Sequence, residues 1–515
     1  MPRALISVSN KNGLVDFAQE LHELGWDIVA SGGTEKLLAD NNIPVTPVQQ
    51  LTNLPEMLGG RVKTLHPAIH AGILARDTVA DVEELQQQGY APINMVVCNL
   101  YPFQETVAQA STTLQDATEK IDIGGVTLLR AAAKNFFRVT TVCDPADYPR
   151  IISALRASGD IDMVVRRDLA VKAFALTRDY DTAIHAYLAQ GTTPTTSAQE
   201  DENLPDYVSI AVHKVSALRY GENPHQSGAY YSNLQSDTPF GAKQFGGKEL
   251  SYNNILDVDA AWRAVSSFDD PTVVIVKHLT PTGIASAATI AEAYPLALRA
   301  DPLSAFGCVM AVNRTVDDAF VEQLGSLFIE VIIAPSFTPT AKTTLNEGRK
   351  NCRLLQMPQP YDNTEYDMRS VLKGFLIQRR DAGDPIGTNW KTVTDRPATA
   401  EEMAALQYAW KACNHVRSNA IIIAQPNHTL GTGGGLPSRV DAAKLAIEKA
   451  GEYVKGAVMA SEALIPFPDV IEVAAEAGIT ALIQPGGAIR DKKVIEAANQ
   501  ANMAMIFTGV RHFRH

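Results

Sequence analysis

The stretch Thr272–Gly283, TVVIVKHLTPTG, decides how the rest of the chain is read. Thr272 to Val276 is β-branched and uncharged throughout, which suits a strand buried on both faces. Lys277 and His278 follow side by side, and Pro281 and Gly283 read as the punctuation of a turn. In open α/β sheets ligands bind beyond the carboxyl ends of strands, so a base and a cation are expected there over a substrate. A solvated strand edge can carry the same dipeptide, and the pair alone leaves both readings open.

A chain of 515 residues implies about two to four domains with ample core. Its 46% hydrophobic and 20% charged content is that of an ordinary globular protein. No apolar run reaches the ~18 residues of a membrane span, and MPRALISVSNK lacks the apolar segment of a secretory signal. Cys98, Cys143, Cys308, Cys352 and Cys413 form no C-x-x-C and no disulfide framework. These features predict a reduced, cytoplasmic protein without a membrane partner. The net charge of −12 argues against nucleic-acid binding, which needs a basic surface. A small anionic ligand depends instead on local Arg and Lys.

Residues 1–190 alternate strand and helix. Ala4 to Val8 is a short apolar strand, and Leu14, Phe17, Ala18 and Leu21 recur at helical spacing before Gly25. Trp26 to Ala30 is a second strand, and Ser31-Gly32-Gly33-Thr34 leads into a helix over Glu35 to Asp40. A strand, a Gly-rich turn and a helix N-terminus make an anion site, because free N–H groups and the helix dipole favour phosphate. A tight turn with a Thr cap accounts for the same residues, so the choice stays open. GGRVKTLHP, Gly59 to Pro67, sets Arg61, Lys63, Thr64 and His66 in one short stretch, a solvated loop or a second anion-handling one. Met95 to Cys98 is a strand ending in Asn99-Leu100-Tyr101-Pro102. Ile121-Asp122-Ile123-Gly124-Gly125 then enters a helix over Val126 to Lys134, where Arg130 and Lys134 share a face. Lys134 either satisfies the helix C-terminus or does chemistry.

Gly191 to Asp206, GTTPTTSAQEDENLPD, has almost nothing to bury and is the expected linker. Beyond it the sequence echoes itself. Val273 to Val276 is followed by a Gly-containing turn, an Ala-rich helix and GCVMA at Gly307 to Ala311; Ala420 to Ile423 is followed by a Gly-rich turn, an Ala-rich helix and GAVMA at Gly456 to Ala460. Each copy then reaches an apolar strand ending in Pro335 or Pro485. Two related α/β subdomains are expected, over 207–370 and 371–515.

SGGT, GGRVKTLHPAIHAGILAR, CNLYPF and IDIGGVTLLRAAAKN in the first half resemble the cyclohydrolase domain of the bifunctional purine-biosynthesis family, which joins AICAR transformylase to IMP cyclohydrolase. LRYGENPHQ, SYNNILD, KHLTPTG, DPLSAFG, RSNA and the ending FTGVRHFRH extend the resemblance over essentially the whole chain. The resemblance implies a methylglyoxal-synthase-like, Rossmann-type N-terminal domain and two tandem cytidine-deaminase-like α/β subdomains. A zinc deaminase would need His-x-Glu and Pro-Cys-x-x-Cys, and neither occurs; no catalytic metal is expected. Three positions depart from the family pattern: Asn10 stands for Asp, Glu330 for Asp, and Leu464 for an aromatic near the folate site.

By that resemblance, the second half moves a formyl group from 10-formyltetrahydrofolate to the amine of AICAR. A neutral imidazole suits general-base work, which makes His278 the candidate, with Lys277 either on the developing oxyanion or assisting the leaving folate nitrogen. Asn419 would orient the carboxamide through its paired donor and acceptor. Arg219, Tyr220, Gly307, Glu330 and Arg511 would contact the ribotide, and Arg439, read in a Gly-rich turn, the ribotide or the folate. The first half then closes FAICAR to IMP. Lys134, Lys63, Tyr101 and Asp122 match the family's catalytic set, and Ser9, Lys11, Ser31, Gly32, Gly33, Thr34, Arg61, Thr64, Asn99 and Ile123 its ribotide contacts. Crowding of Arg61, Lys63 and Lys134 is expected to lower a lysine's pKa, so that a neutral amine is available to act as a base. The resemblance also implies a homodimer with transformylase sites built across its interface. Two other classes are set against this reading: a ligand sensor using the first domain's phosphate pocket, and a zinc deaminase fused to a phosphate-binding domain.

Overall fold

The computed structural model describes residues 1–55, 57–109, 111–190, 204, 208–232, 236–357 and 366–515. They belong to two compact units, Met1–Ala211 and Val212–His515. The expected linker, 191–206, lies outside the described residues except for Leu204.

In the first unit, β1 (Arg3–Ser7), β2 (Asp27–Ala30), β3 (Thr46–Pro47), β4 (Met95–Cys98) and β5 (Thr140–Val142) form one sheet in the order β3-β2-β1-β4-β5. All neighbours are parallel. Parallel neighbours need crossovers, and the helices Leu14–Glu23 and Gly32–Asp40 supply the first two. Alternation along β1 explains its unbroken apolar run. Ala4 and Ile6 pack with Leu14, Phe17 and Leu21 on one face, and Leu5 packs with Leu128 and Leu129 of the helix Gly124–Lys134 on the other. The order reverses between β1 and β4, so the crevice beyond their carboxyl ends is a topological switch point.

In the second unit, β6 (His213–Leu218) and β7 (Gly228–Ser232) form a separate hairpin. β8 (Lys243–Gln244), β9 (Thr272–Lys277), β10 (Thr280–Ser286), β11 (Cys308–Val312), β12 (Ile329–Ala334) and β13 (Arg353–Gln356) make half of a large sheet. β14 (Tyr366–Val371) and β15 (Gly374–Arg379) form another hairpin. β16 (Lys391–Thr392), β17 (Ile421–Gln425), β18 (His428–Gly433), β19 (Val458–Ser461), β20 (Ala481–Gln484) and β21 (Ala504–Phe507) complete the sheet, which has twelve strands. From its centre the order is β10-β9-β11-β12-β13 one way and β18-β17-β19-β20-β21 the other. Each step repeats in sense: antiparallel, antiparallel, parallel, parallel. The copies meet where β10 pairs with β18 at Ala285 and His428. One face carries a single core shared by the helices Tyr252–Ser266 and Ala400–Cys413. On the opposite face each copy has its own core.

The repeat predicted from the sequence landmarks is thus a repeat of topology, but its turns are not where they were expected. Between strand and helix each copy has a second strand. β9 turns at His278 and Leu279 alone, and Pro281 and Gly283 lie inside β10. The glycines serve strand–helix contact. A Cβ at Gly283 would sit 1.9 Å from the carbonyl oxygen of Ala297, and one at Gly433 would sit 2.0 Å from that of Ala442.

Candidate active sites

In the first unit, Ser9, Ser31 and Asn99 lie just past the carboxyl ends of β1, β2 and β4. Asn99, just past β4, accepts the N–H groups of Ser9 and Asn10 on Oδ1, at 2.7 and 3.0 Å, and returns Nδ2 to the Asn10 carbonyl at 3.0 Å. One side chain therefore ties the loops on both sides of the switch point. The Asn10 side chain accepts from Asn12 N–H, which turns it onto its own loop. The helix after β2 begins at Gly32, three residues earlier than expected, so both glycines lie in its first turn. Ser31 is its N-cap residue yet makes no side-chain cap. Lys11 Nζ reaches the Gly33 carbonyl at 2.9 Å. A helix N-terminus with an ammonium beside it suits a phosphate. Thr34 does not make the expected cap. It is buried, and its hydroxyl bonds both N–H and C=O of Val8 at 3.2 Å, fastening the helix to the end of β1.

Opposite lies the N-terminus of Gly124–Lys134. Asp122 Oδ1 accepts Gly125 N–H at 2.7 Å, and the Asp122 N–H donates to the hydroxyl of Tyr180 at 2.8 Å. Burial raises the Asp122 carboxyl above the ordinary range, opposed by the N–H groups of Gly125 and Tyr101. Tyr101 and Ile123 are exposed at this rim. Thr64 is buried where Gly124 passes, and a Cβ on Gly124 would come within 3.2 Å of its hydroxyl. Lys134 is exposed at the far end of the same helix. The expected crowding of three cations is altered, because the Arg61 guanidinium lies against the Glu119 carboxylate. The loop of Arg61 and Lys63 therefore carries an acid as well.

In the second unit, Lys277 ends β9 and donates Nζ to the carbonyls of Phe306 and Gly307, at 2.9 and 2.8 Å. Two of its three donors hold the DPLSAFG loop and one is left for a ligand. His278 is exposed, with φ 52. Asn419 is held by the chain around it. Its Nδ2 donates to the carbonyls of Leu436 and Pro437, at 2.9 and 3.0 Å, and its Oδ1 accepts from Arg439 at 2.7 Å. The amide is engaged within the chain, which leaves one lone pair of Oδ1 to face a substrate. Arg439 is the first residue of the helix Arg439–Ala450, not part of a turn. Its guanidinium binds Glu462, fully buried, at 2.6 Å and Ser461 at 2.8 Å.

The Glu330 carboxylate is paired with Arg353, which also donates to the Glu249 carbonyl at 3.0 Å. The longer side chain at 330 thus reaches a structural arginine. Arg219 lies over the Tyr220 ring at 4.6 Å and bonds its hydroxyl at 2.8 Å. Arg511 lies over Phe513 at 4.2 Å. Leu464 is half-buried, and the exposed aromatic of its segment is Phe467, under the Arg490 guanidinium at 4.7 Å. Among the described residues, no hydrogen bond or ion pair joins the Lys277–Gly307 group to the Asn419–Arg439 group. Sequence reasoning missed Glu462, Tyr180 and Asp257. For Asp257 a signal was present, since it closes SYNNILD.

Comparison with known proteins places the chain among relatives. A family model described as AICARFT/IMPCHase bienzyme matches residues 132–449, and one described as MGS-like domain matches 13–127. The chain is 48% identical over 518 residues to the "Bifunctional purine biosynthesis protein PurH" of Anoxybacillus flavithermus, covering 100% of this chain and 99% of that one. The protein of the same name from Desulfitobacterium hafniense is 46% identical over 516 residues, with 100% and 99% covered. A solved chain titled "Crystal structure of ForH" is 35% identical over 36% of this chain and 98% of its own, with a TM-score of 0.33.

Proposed function

The chain belongs to the AICARFT/IMPCHase bienzyme family, and on that premise we propose that the first unit closes the purine ring while the second transfers the formyl group. The protein is a bifunctional enzyme of purine biosynthesis, with AICAR transformylase and IMP cyclohydrolase activities and 10-formyltetrahydrofolate as formyl donor.

In the second unit the amine of AICAR attacks the formyl carbon, its proton leaves, and the folate nitrogen departs with a proton. His278 takes the proton from the amine, and the free donor of Lys277 stabilises the oxyanion. The observation that carries this assignment is the β9–β10 turn. It holds Lys277 and His278 in one copy of the repeat, whereas the matching turn of the other holds Gln425 and Pro426. Asn419 and Arg439 of the second copy complete the site.

In the first unit the carboxamide nitrogen of FAICAR attacks the formyl carbon and water leaves. The helix N-terminus at Gly32–Gly33, with Lys11, holds the phosphate. Lys63, Tyr101, Asp122 and Lys134 move the protons, and Asp122 is the group best placed to hold one, by its burial.

The active protein is a cytoplasmic homodimer in this reading. Exposed Val371, Leu372, Phe375 and Leu376 on the β14–β15 hairpin support a partner surface. No helix of the described residues is long and apolar enough to cross a membrane. The test is a coupled assay of AICAR plus 10-formyltetrahydrofolate followed for IMP. IMP production is expected, and none from folded protein would defeat the reading. In the same assay His278→Ala is expected to lose formyl transfer while still cyclising supplied FAICAR.

A further inference from the structure

The turn that carries His278 is an unusual one for its residues. His278 and Leu279 both have positive φ, 52 and 66, between antiparallel β9 and β10. A two-residue hairpin with both centres left-handed is normally Asn-Gly or Gly-rich, because a Cβ there crowds the following carbonyl. The matching turn between β17 and β18 has the same length but a relaxed sequence. It uses Pro426 and Asn427, and of the two only Asn427 has positive φ, at 68. Asparagine tolerates that conformation. The fold itself therefore does not demand the strain in the first copy.

Something must hold the strained turn, and the structure shows what does. Asp257 Oδ1 accepts the N–H of Leu279 at 2.6 Å. The N–H of His278 points to the same carboxylate. Asp257 comes from the helix Tyr252–Ser266, capped by Ser251; the matching helix Ala400–Cys413 is capped by Thr399. Both caps are capping boxes, which sets the register of the two helices. Six residues past each cap stand Asp257 and Ala405. Where the turn is relaxed, position 405 carries no carboxylate, and Ala405, Pro426 and His428 line a cavity of about 400 Å³ together with Glu401 and Glu402 from the same helix.

We propose that Asp257 is a positioning residue for formyl transfer, whose carboxylate locks the β9–β10 turn left-handed and so presents the His278 imidazole to the amine. This rests on His278 being the base. Strained backbone persists only where its surroundings over-determine it, and here the over-determining group is absent from the copy whose turn carries no Lys-His pair.

The test measures kcat and KM for AICAR in the full-length protein, with cyclisation of supplied FAICAR and a thermal melt as controls. Asp257→Ala is expected to lower kcat about 100-fold with KM changed less than about threefold, the pattern of a misplaced catalytic group. Leu279→Gly added to Asp257→Ala is expected to recover at least about tenfold, because glycine takes positive φ without penalty. Asp257→Asn keeps an acceptor oxygen and is expected to stay well above Asp257→Ala, which keeps the test decisive if the alanine variant does not fold. The proposal is overturned if Asp257→Ala keeps wild-type kcat while His278→Ala abolishes transfer, if Leu279→Gly recovers nothing, or if Asp257→Asn is as poor as Asp257→Ala. Retention of transfer by His278→Ala would instead remove the base assignment beneath it.

Discussion

Arg439 donates to the side-chain oxygen of Asn419 at 2.7 Å, while the same guanidinium binds the fully buried carboxylate of Glu462. One planar fork thus joins the start of a helix, the end of β19 and the RSNA segment. A lysine has no planar fork, and its single nitrogen cannot reproduce the two-nitrogen geometry that reaches Asn419 and Glu462 together. Arg439→Lys is expected to lower formyl transfer about 10- to 100-fold through misplaced Asn419, with cyclisation of FAICAR unchanged. Arg439→Met leaves Glu462 buried and unpaired, which is expected to cost about 3–5 kcal/mol in denaturant unfolding of the second unit.

Asp122 combines a cap with a candidate proton carrier, and two substitutions separate the roles. Asp122→Asn keeps an oxygen for the Gly125 N–H but cannot carry a proton. Stability within about 1 kcal/mol of wild type is expected, with cyclisation lowered about 100-fold or more. Stopped assays on supplied FAICAR, paired with a melt, read both effects.

Lys134→Ala removes an exposed side chain at a helix end, so a melt should move little. Cyclohydrolase turnover is nevertheless expected to fall about 100-fold or more, while formyl transfer is retained. Full turnover in the purified variant would end its assignment as a catalytic group.

His512 is buried, with Nδ1 2.6 Å from Asp381 and Nε2 2.8 Å from Asp384. Carboxylates only accept, so both ring nitrogens carry protons. Burial alone would lower the imidazole's pKa, but the two carboxylates outweigh it and raise the value. A raised folded value means stabilisation that is full below the unfolded value of about 6.5 and lost as pH rises through the folded one. Burial pushes the Asp381 carboxyl up, but His512 more than offsets this and lowers it. Its contribution is present above about pH 4 and lost on acidification. The difference in melting temperature between wild type and His512→Gln is therefore expected to be largest near pH 5–6, at about 2–4 °C per kcal/mol, and to shrink toward pH 9.

Gly433 lets β18 touch the helix Arg439–Ala450, and a Cβ would meet the Ala442 carbonyl at 2.0 Å. Gly433→Ala is expected to destabilise the protein by about 1–3 kcal/mol. An unchanged midpoint in denaturant would show that strand and helix can separate freely.

The sequence alone determined most of the element types and the family, and it named candidates for the two sites. β1, β4 and β9 are uniform apolar runs, and such runs bury on both faces whatever surrounds them. The repeated landmarks are likewise local signals, legible without coordinates. Tertiary structure decided what each polar side chain faces. Thr34 became a strap on Val8, Asn419 turned its amide into the chain, Arg439 found Glu462, and the glycines of β10 and β18 proved to be contact points. Those outcomes depend on groups far apart in sequence, such as Asp257 and Leu279, brought within a hydrogen bond by strand order and helix register. Directional bonds need that placement. Periodicity supplies a face, and only the packed sheet supplies the partner.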